Sequence, residues 1–307
     1  MSQSKITNMA ASVRERLANT ARNANRPFQE ILQYYTMERF LYRLGKSAHA
    51  RKFVLKGALM FTIWRTETTR PTLDIDLLGT LDNSPETIIG VAKDIIETKV
   101  EDDGLIFDPR TLKANRISED ADYTGVRVRF LGRLGSARVN MQIDIGFGDL
   151  VVPASEKMKY PTLLPLSAPT LWCYSRESTI AEKFEAMVKL DILNSRMKDF
   201  FDLWIMSKTF SFSGRLLQQA IRTTFQKRGT DLPRQIPTAL APEFSESRIK
   251  KAQWTAFFHK IHTPSETMDL PAVVRELETF LMPPVRASIT GEEFCQSWKP
   301  GGPWTME

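Results

Sequence analysis

Cysteine and histidine are rare in this sequence. The chain has 307 residues with two cysteines, Cys173 and Cys295, and three histidines. Zinc centres use cysteine and histidine ligands at short, regular spacings, and the sequence contains no such spacing. Low cysteine usage is also typical of proteins in a reducing compartment. We therefore expect a cytoplasmic protein that has no cysteine-based or histidine-based metal centre.

Long hydrophobic runs are missing as well. A membrane-spanning helix needs about 20 consecutive apolar residues, and the longest run here, at 53–64, is interrupted by Lys56. The N-terminal residues MSQSKITNMAASVRERL lack the apolar centre of a secretory signal. We expect no membrane partner.

The common nucleotide-binding and protease motifs are absent too. The sequence has no G-x-x-x-x-G-K-[ST] loop, no glycine-rich kinase loop and no H-E-x-x-H helix. These absences exclude P-loop enzymes, protein kinases and zinc proteases of the H-E-x-x-H type. A nucleotide would have to be bound through metal ions and basic side chains instead.

Basic residues are concentrated in two segments, which we call the basic arms. The net charge is +6, but residues 1–52 have ten basic against three acidic residues, and residues 215–260 have nine against three. Two basic arms suit a polyanionic partner such as RNA, because phosphate contacts supply the non-specific part of such affinity. A solvated basic surface on helices would give the same composition.

Two aspartates stand inside an apolar stretch at 73–78, whose sequence is LDIDLL. The alternation predicts a β-strand. Asp74 and Asp76 then share one face, and Leu73, Ile75 and Leu77 share the other. Two carboxylates about 7 Å apart on one face repel each other, and Mg²⁺ would relieve that repulsion. A D-x-D pair also arises by chance, or serves solubility at a strand end.

A third carboxylate and a glycine extend the pattern. Gly57 follows a short predicted strand at 53–55, where it permits a tight turn or a close backbone approach. Residues 126–131 alternate as a strand, Gly135 marks a hairpin, and Asp144 lies within the return strand at 138–146. Three carboxylates on neighbouring strands can hold the metal ions used in phosphoryl or nucleotidyl transfer.

The remaining segments are mainly helical. Helical spacing or capping residues predict helices at 6–46, 58–64, 84–99, 197–208, 216–228, 246–262 and 269–281. A further helix is predicted to run to about residue 193, with either Ser175 or Ser178 as its N-cap. Residues 151–175 contain four prolines and predict a linker, and the proline-bearing tail from Pro283 onward predicts irregular structure. We expect an α+β, bilobed protein with a mixed sheet and flanking helices in residues 1–165, and a mainly helical C-terminal lobe in residues 166–307.

Taken together, several short motifs resemble the AbiEii/AbiGii-type nucleotidyltransferase toxins, within the DNA-polymerase-β-like nucleotidyltransferase superfamily. The matching stretches are ERFLYRL at 38–44, FVLKGAL at 53–59, RPTLDIDLLG at 70–79, IDIGFGD at 143–149, IAEKFEA at 180–186 and RMKDFFDL at 196–203. They cover roughly residues 10–210. The resemblance implies a nucleotidyltransferase-type sheet and says little about residues 210–307.

The resemblance also implies roles for single residues. Asp74 and Asp76 correspond to the metal-binding pair, and Gly57 to the glycine that approaches the phosphates. Ala58 stands where many members have serine, so a hydroxyl contact to the triphosphate is not implied there. Lys183 and Asp199 match positions considered catalytic in the family. Asp144 matches a further position that we assign to nucleotide binding.

The residues themselves leave alternatives open at the helical positions. Lys183 lies beside a buried stripe, where a lysine often extends along apolar surface to water. Asp199 lies one helical turn from Asp202, and the two could simply pair with neighbouring basic side chains. Arg70 and Lys56 are candidates for binding the triphosphate because they flank the D-x-D strand and the glycine turn.

We therefore predict a toxin-type nucleotidyltransferase that uses Mg²⁺, with Mn²⁺ as an alternative, and takes a nucleoside triphosphate as substrate. The resemblance implies RNA, with tRNA foremost, as acceptor, inhibition of translation and growth as outcome, and a cognate antitoxin as partner. The alternatives are a small-molecule nucleotidyltransferase of the antibiotic-modifying type and a non-catalytic module that binds nucleotide or RNA.

Overall fold

The computed structural model describes residues 8–66, 70–120, 123–261 and 269–306, with the backbone alone at 118–120, 123 and 124. Its internal contacts define two compact units. The first comprises Met1–Arg65, Pro71–Gly148 and Glu156–Cys173; the second comprises Thr66–Arg70, Asp149–Ser155 and Tyr174–Glu307. The predicted division after residue 165 stays a prediction.

The first unit contains a seven-stranded mixed sheet and four α-helices among its described residues. The strands are β1 (Phe53–Lys56), β2 (Ile75–Gly79), β3 (Leu105–Asp120), β4 (Tyr123–Leu134), β5 (Ala137–Phe147), β6 (Glu156–Lys159) and β7 (Thr170–Cys173). Their order across the sheet is β3-β4-β5-β2-β1-β7-β6. The helices are α1 (Met9–Asn23), α2 (Phe28–Lys46), α3 (Leu59–Ile63) and α4 (Pro85–Ile96).

The second unit is mainly helical in the part that the structure describes. Its helices are α5 (Arg176–Leu190), α6 (Met197–Thr209), α7 (Gly214–Arg228), α8 (Pro242–Ser245), α9 (Arg248–Ile261) and α10 (Leu270–Thr290). A small antiparallel sheet joins β8 (Phe212–Ser213), β9 (Gln296–Trp298) and β10 (Trp304–Met306). The predicted helix at 246–262 ends on a residue outside the described part.

The sheet of the first unit has one apolar and one polar face. The alternating residues Val126, Val128 and Phe130 are buried, and the ring of Phe130 lies 5.7 Å from that of Phe40 on α2. The residues between them carry the polar face. Alternation of this kind buries one face of an antiparallel sheet and leaves the other to solvent. The predicted α+β class is confirmed.

The D-x-D strand begins later than the alternation predicts. Observed β2 starts at Ile75, and Leu73 is 67% exposed instead of sharing the buried face with Ile75 and Leu77. The backbone carbonyl of Leu73 accepts a hydrogen bond of 3.1 Å from Gln33 Nε2 on α2. The backbone at Leu73 is therefore hydrogen-bonded to α2 and does not form part of β2.

The prediction of a linker at 151–175 is wrong in part. Strands β6 and β7 lie inside it, and β7 pairs in parallel with β1 at Val54↔Trp172 and Leu55↔Cys173. Cys173 is buried there. The prolines at 153, 161, 165 and 169 lie outside both strands. They therefore do not prevent the backbone pairing of β6 and β7.

The prediction of an irregular tail from Pro283 is also wrong. Helix α10 continues through Pro283 and Pro284 to Thr290. Pro284 has no N–H to donate to the carbonyl four residues earlier, that of Phe280. The indole Nε1 of Trp304 donates to that carbonyl at 3.0 Å instead, and its ring stacks on Phe280 at 5.8 Å. The tail thus supplies the hydrogen bond that the proline removes.

Several residues of the basic arms are structural. Arg43 is buried on α2 and forms two hydrogen bonds with Asp103, at 2.7 and 3.0 Å. Lys250 is buried and donates to the carbonyl of Asn194 at 2.7 Å. Arg228 lies among three carboxylates, those of Asp149, Glu182 and Glu185. The surface charge of the arms is therefore smaller than their composition indicates.

Candidate active site

Three aspartates meet on the polar face of the first unit. Asp74 lies immediately before β2, Asp76 lies within β2, and Asp144 lies on the neighbouring parallel strand β5, where it is the register partner of Asp76. Each contributes one carboxylate oxygen to a group whose members all lie within 4.8 Å of one another. We call this group the acidic cluster. It unites the predicted metal-binding pair with the third carboxylate.

Helix α2 holds the segment that carries Asp74. The hydroxyl of Thr72 donates to Asp74 Oδ1 at 2.5 Å, and the backbone N–H of Thr72 donates to the hydroxyl of Tyr34 at 3.1 Å. Thr72 itself is buried. Asp74 therefore has a fixed rotamer even though it precedes the strand, which is what a ligand position requires.

Arg127 on β4 compensates one of the three carboxylates. Its Nε donates to Asp144 Oδ1 at 2.7 Å and its Nη2 to Oδ2 at 2.6 Å. Such a two-point contact fixes the orientation of a carboxylate as well as balancing its charge. Three carboxylates so close together repel one another strongly, and a donor set made only of oxygens suits Mg²⁺ or Mn²⁺. The residues present fit a divalent cation.

Gly57 lies against the acidic cluster. Its backbone has φ +74°, and a Cβ at this position would come within 1.9 Å of Asp76 Oδ2. A side chain is therefore excluded both by the left-handed backbone and by the carboxylate. Lys56, the preceding residue, is the register partner of Asp76 across β1 and β2. The predicted glycine turn thus adjoins the predicted carboxylates.

A second set of charged residues lies in the helical unit. Lys183 on α5 donates to Asp199 Oδ1 at 2.7 Å and to Asp202 Oδ2 at 2.8 Å, both on α6. The two carboxylates are buried and the lysine side chain is 13% exposed. This contradicts the alternative in which Lys183 extends along apolar surface into water. It is held between two acids.

Burial and charge oppose each other in this network. Burial alone disfavours the charged form of Lys183, but the attraction of Asp199 and Asp202 prevails and raises its pKa. Burial likewise disfavours the charged form of Asp199, and the attraction of Lys183 and Arg196 prevails and lowers its pKa to about 2. At neutral pH the lysine is a cation and Asp199 is an anion.

Two arginines complete the network. Arg70 donates from Nε to Asp202 Oδ1 and from Nη2 to Asp202 Oδ2, both at 3.0 Å. Arg196 Nε lies 2.8 Å from Asp199 Oδ2, so the alternative in which Asp199 pairs with Arg196 also holds. Among the described residues, Lys183, Arg70 and Arg196 thus contact these two carboxylates. The roles predicted for Lys183, Asp199 and Arg70 stay predictions.

Arg127 and Thr72 contact the acidic cluster but were not predicted from the sequence as site residues. A signal for Arg127 was present. The hairpin turn at Gly135 pairs Leu134 with Ala137, and counting back along both strands pairs Arg127 with Asp144. Thr72 had no comparable signal, because its contact depends on where α2 packs.

Comparison with known proteins assigns the family. A family model described as "Nucleotidyl transferase AbiEii toxin, Type IV TA system" matches residues 39–281. The chain belongs to this AbiEii family. As a member it is a nucleotidyltransferase of the toxin type, which implies an enzyme with a nucleotide substrate and an antitoxin partner. No helix in the described residues is long and apolar enough to cross a membrane.

Two crystal structures from Helicobacter pylori are similar to this chain. One is JHP933, at 14% identity and a TM-score of 0.44, with 86% of this chain and 94% of that chain covered. The other is a suggested nucleotidyltransferase, also at 14% identity and a TM-score of 0.44, with 87% and 99% covered. Among curated proteins, none matches this chain in sequence.

Proposed function

We propose that this AbiEii protein transfers a nucleotide from a nucleoside triphosphate to an RNA acceptor, with tRNA foremost, and acts in the cytoplasm to inhibit translation and growth. The observation that carries the proposal is the convergence of Asp74, Asp76 and Asp144 beside the side-chain-free backbone of Gly57. This is the arrangement that a triphosphate needs, since carboxylates bind its counter-cation and a bare backbone admits its phosphates.

Asp74 and Asp76 would hold the divalent cation, and Asp144 would complete the oxygen set. When bound there, Mg²⁺ supplies Lewis-acid stabilisation of the phosphate oxygens, and Mn²⁺ can serve in its place. Arg127 holds the Asp144 carboxylate in a fixed orientation through its two hydrogen bonds. Gly57 lets the Asp76 carboxylate pack directly against the backbone, and Lys56 would contact the triphosphate from the adjoining strand.

Lys183 and Asp199 are the further residues to which we assign a catalytic role, and Arg70 is a further residue to which we assign triphosphate binding. The positive side chains of Lys183 and Arg70 support a part in balancing phosphate charge. Lys183 stays protonated because Asp199 and Asp202 raise its pKa. Asp199 itself, with its low pKa, is ionised at neutral pH and suits positioning Lys183. So low a pKa makes it a weak base, which favours this role over accepting the proton of an acceptor hydroxyl.

A transfer assay tests the proposal. Purified protein is incubated with total tRNA, Mg²⁺ and each of the four labelled nucleoside triphosphates in turn. The unmodified protein should label RNA. Asp76→Asn should lose about 100-fold or more in rate, the order lost when one group that stabilises the transition state is removed.

Asp102→Asn is the matched control, because Asp102 is exposed in the same unit and its Oδ1, which accepts from the Gly104 N–H, is kept in asparagine. It should retain the full rate. Equal labelling by Asp76→Asn and the control would remove the acidic cluster from the mechanism. Label on a small molecule alone would contradict the RNA acceptor, and triphosphate binding without transfer to any acceptor would contradict the enzyme.

A further inference from the structure

A row of basic side chains runs along the polar face of the same sheet. In β4, Arg127, Arg129 and Arg133 alternate with buried apolar residues, so all three project from the face that carries the acidic cluster. Lys113 on β3 is the register partner of Arg129, and Arg138 on β5 is the register partner of Arg133. We call Lys113, Arg129, Arg133 and Arg138 the basic face.

The basic face is open to solvent. Lys113, Arg129 and Arg138 are exposed and Arg133 is partly exposed. The apolar side of the sheet takes the packing of the helices instead, for instance where Phe40 of α2 contacts Phe130 and Phe107. Among the described residues, the charges on the polar side are therefore open to solvent.

Like charges oppose each other across the strands of this face. Lys113 stands directly opposite Arg129, and Arg133 directly opposite Arg138. Such pairs are destabilising. Arg129 donates to the neutral amide oxygen of Gln142 at 3.2 Å, which leaves its charge uncompensated by that contact. An anion laid across the face would relieve both repulsions.

Two carboxylates on this face already have arginine partners. Asp144 is held by Arg127, and Asp108 is held by Arg110 at 2.9 and 3.0 Å and also attracts Arg133. The four side chains of the basic face thus add to a positive field that begins beside the acidic cluster. Fields of one sign along a groove or face attract a polymer of the opposite sign and align it.

The length of the row identifies the ligand class. Arg138 and Asp144 are six residues apart on β5, which corresponds to about 20 Å along the strand. A nucleic-acid strand with stacked bases advances about 3.4 Å per nucleotide, so a segment of several nucleotides spans the distance. Within the described positions of this face, between 113 and 142, no aromatic side chain is present for base stacking.

We propose that the basic face binds the sugar–phosphate backbone of the nucleic-acid acceptor and leads its end to the acidic cluster. The identification of the acceptor as RNA rests on the proposed function. The contacts are to phosphates, so the face contributes affinity and register but no base preference. Which nucleotide is modified is then decided at the cluster and not along the face.

Binding measurements test the proposal without requiring turnover. Fluorescence anisotropy with labelled tRNA is recorded in the Asp76→Asn background, for Arg129→Gln/Arg138→Gln and for the control Lys93→Gln/Arg116→Gln. The control removes the same net charge from exposed positions; Lys93 lies on α4, and Arg116 is the register partner of the buried Val126.

The basic-face variant should bind tRNA about tenfold more weakly, with a salt dependence of log K shallower by about 1.4, since each phosphate contact to a single strand contributes about 0.7. The control should change the affinity by less than twofold. In the active background, the basic-face variant should raise the KM for RNA and leave both kcat and the KM for the nucleoside triphosphate unchanged.

Three results would overturn the proposal. The first is an absence of tRNA binding by the Asp76→Asn protein at low salt, and the second is an equal loss in both double variants. The third is a raised KM for the triphosphate alone, which would assign the face to the nucleotide. Failure of the proposed function looks different: tRNA binding that depends on Arg129 and Arg138, with no transfer of label to any RNA by the unmodified protein.

Discussion

Substituting Gly57 by alanine should abolish activity at a moderate cost in stability. The new Cβ would lie 1.9 Å from Asp76 Oδ2, whereas contacts under 3.0 Å essentially never occur. The carboxylate therefore has to move by roughly 1 Å or more, and a displacement of that size in an active site can cost about 100-fold in rate. The left-handed backbone at φ +74° adds about 1–2 kcal/mol of strain for a residue with a Cβ.

Gly135→Ala is the matched control for backbone strain. Gly135 has φ +58°, and its nearest neighbour to a new Cβ is 3.9 Å away, an ordinary contact. Both variants should lose a similar 1–2 kcal/mol or so in urea unfolding, but only Gly57→Ala should lose transfer activity and affinity for Mn²⁺. Equal activities in the two variants would refute the reasoning that the backbone at Gly57 sets the position of Asp76.

Three further predictions concern charges and packing. Arg127→Met should lower stability by about 2 kcal/mol, since it removes charge-assisted hydrogen bonds to the buried Asp144; unfolding in urea measures this, and an unchanged midpoint would contradict it. The pKa of Asp199 falls from 3.8 to about 2 in the folded protein, so its contribution of about 2 kcal/mol is present above pH 4 and lost as the pH falls toward 2. Asp199→Asn should therefore flatten that part of the stability profile, and a profile parallel to that of the unmodified protein would argue against it. Trp304→Phe should keep the stacking on Phe280, lose the hydrogen bond to its carbonyl and lower the free energy of unfolding by about 1 kcal/mol; thermal unfolding at matched pH checks this, with no change as the opposing result.

The strands that carry the acidic cluster could be predicted because each has a simple local pattern. Alternation placed Asp144 among apolar neighbours on a strand, and a glycine marked the hairpin before it. The family resemblance then joined Asp74, Asp76 and Gly57 into one expected site. The structure brings the three aspartates together, with oxygens within 4.8 Å of one another.

What could not be predicted depends on contacts between distant segments. Strand β7 is only four residues long and pairs with β1, more than 100 residues earlier in the chain, so its proline-rich surroundings predicted a linker. Helix α10 passes two prolines, and Trp304 from the tail supplies the donor that Pro284 lacks. The composition of the basic arms did not reveal that Arg43 and Arg228 are structural.

The central claim is that Asp74 and Asp76 bind the divalent cation that accompanies the triphosphate. A crystal structure with Mn²⁺ and a non-hydrolysable nucleoside triphosphate tests it directly, because the anomalous signal of Mn²⁺ locates the ion. The account predicts Mn²⁺ about 2 Å from carboxylate oxygens of both aspartates, with the triphosphate over Gly57. An ion bound elsewhere, or both carboxylates turned away from the nucleotide, would contradict it.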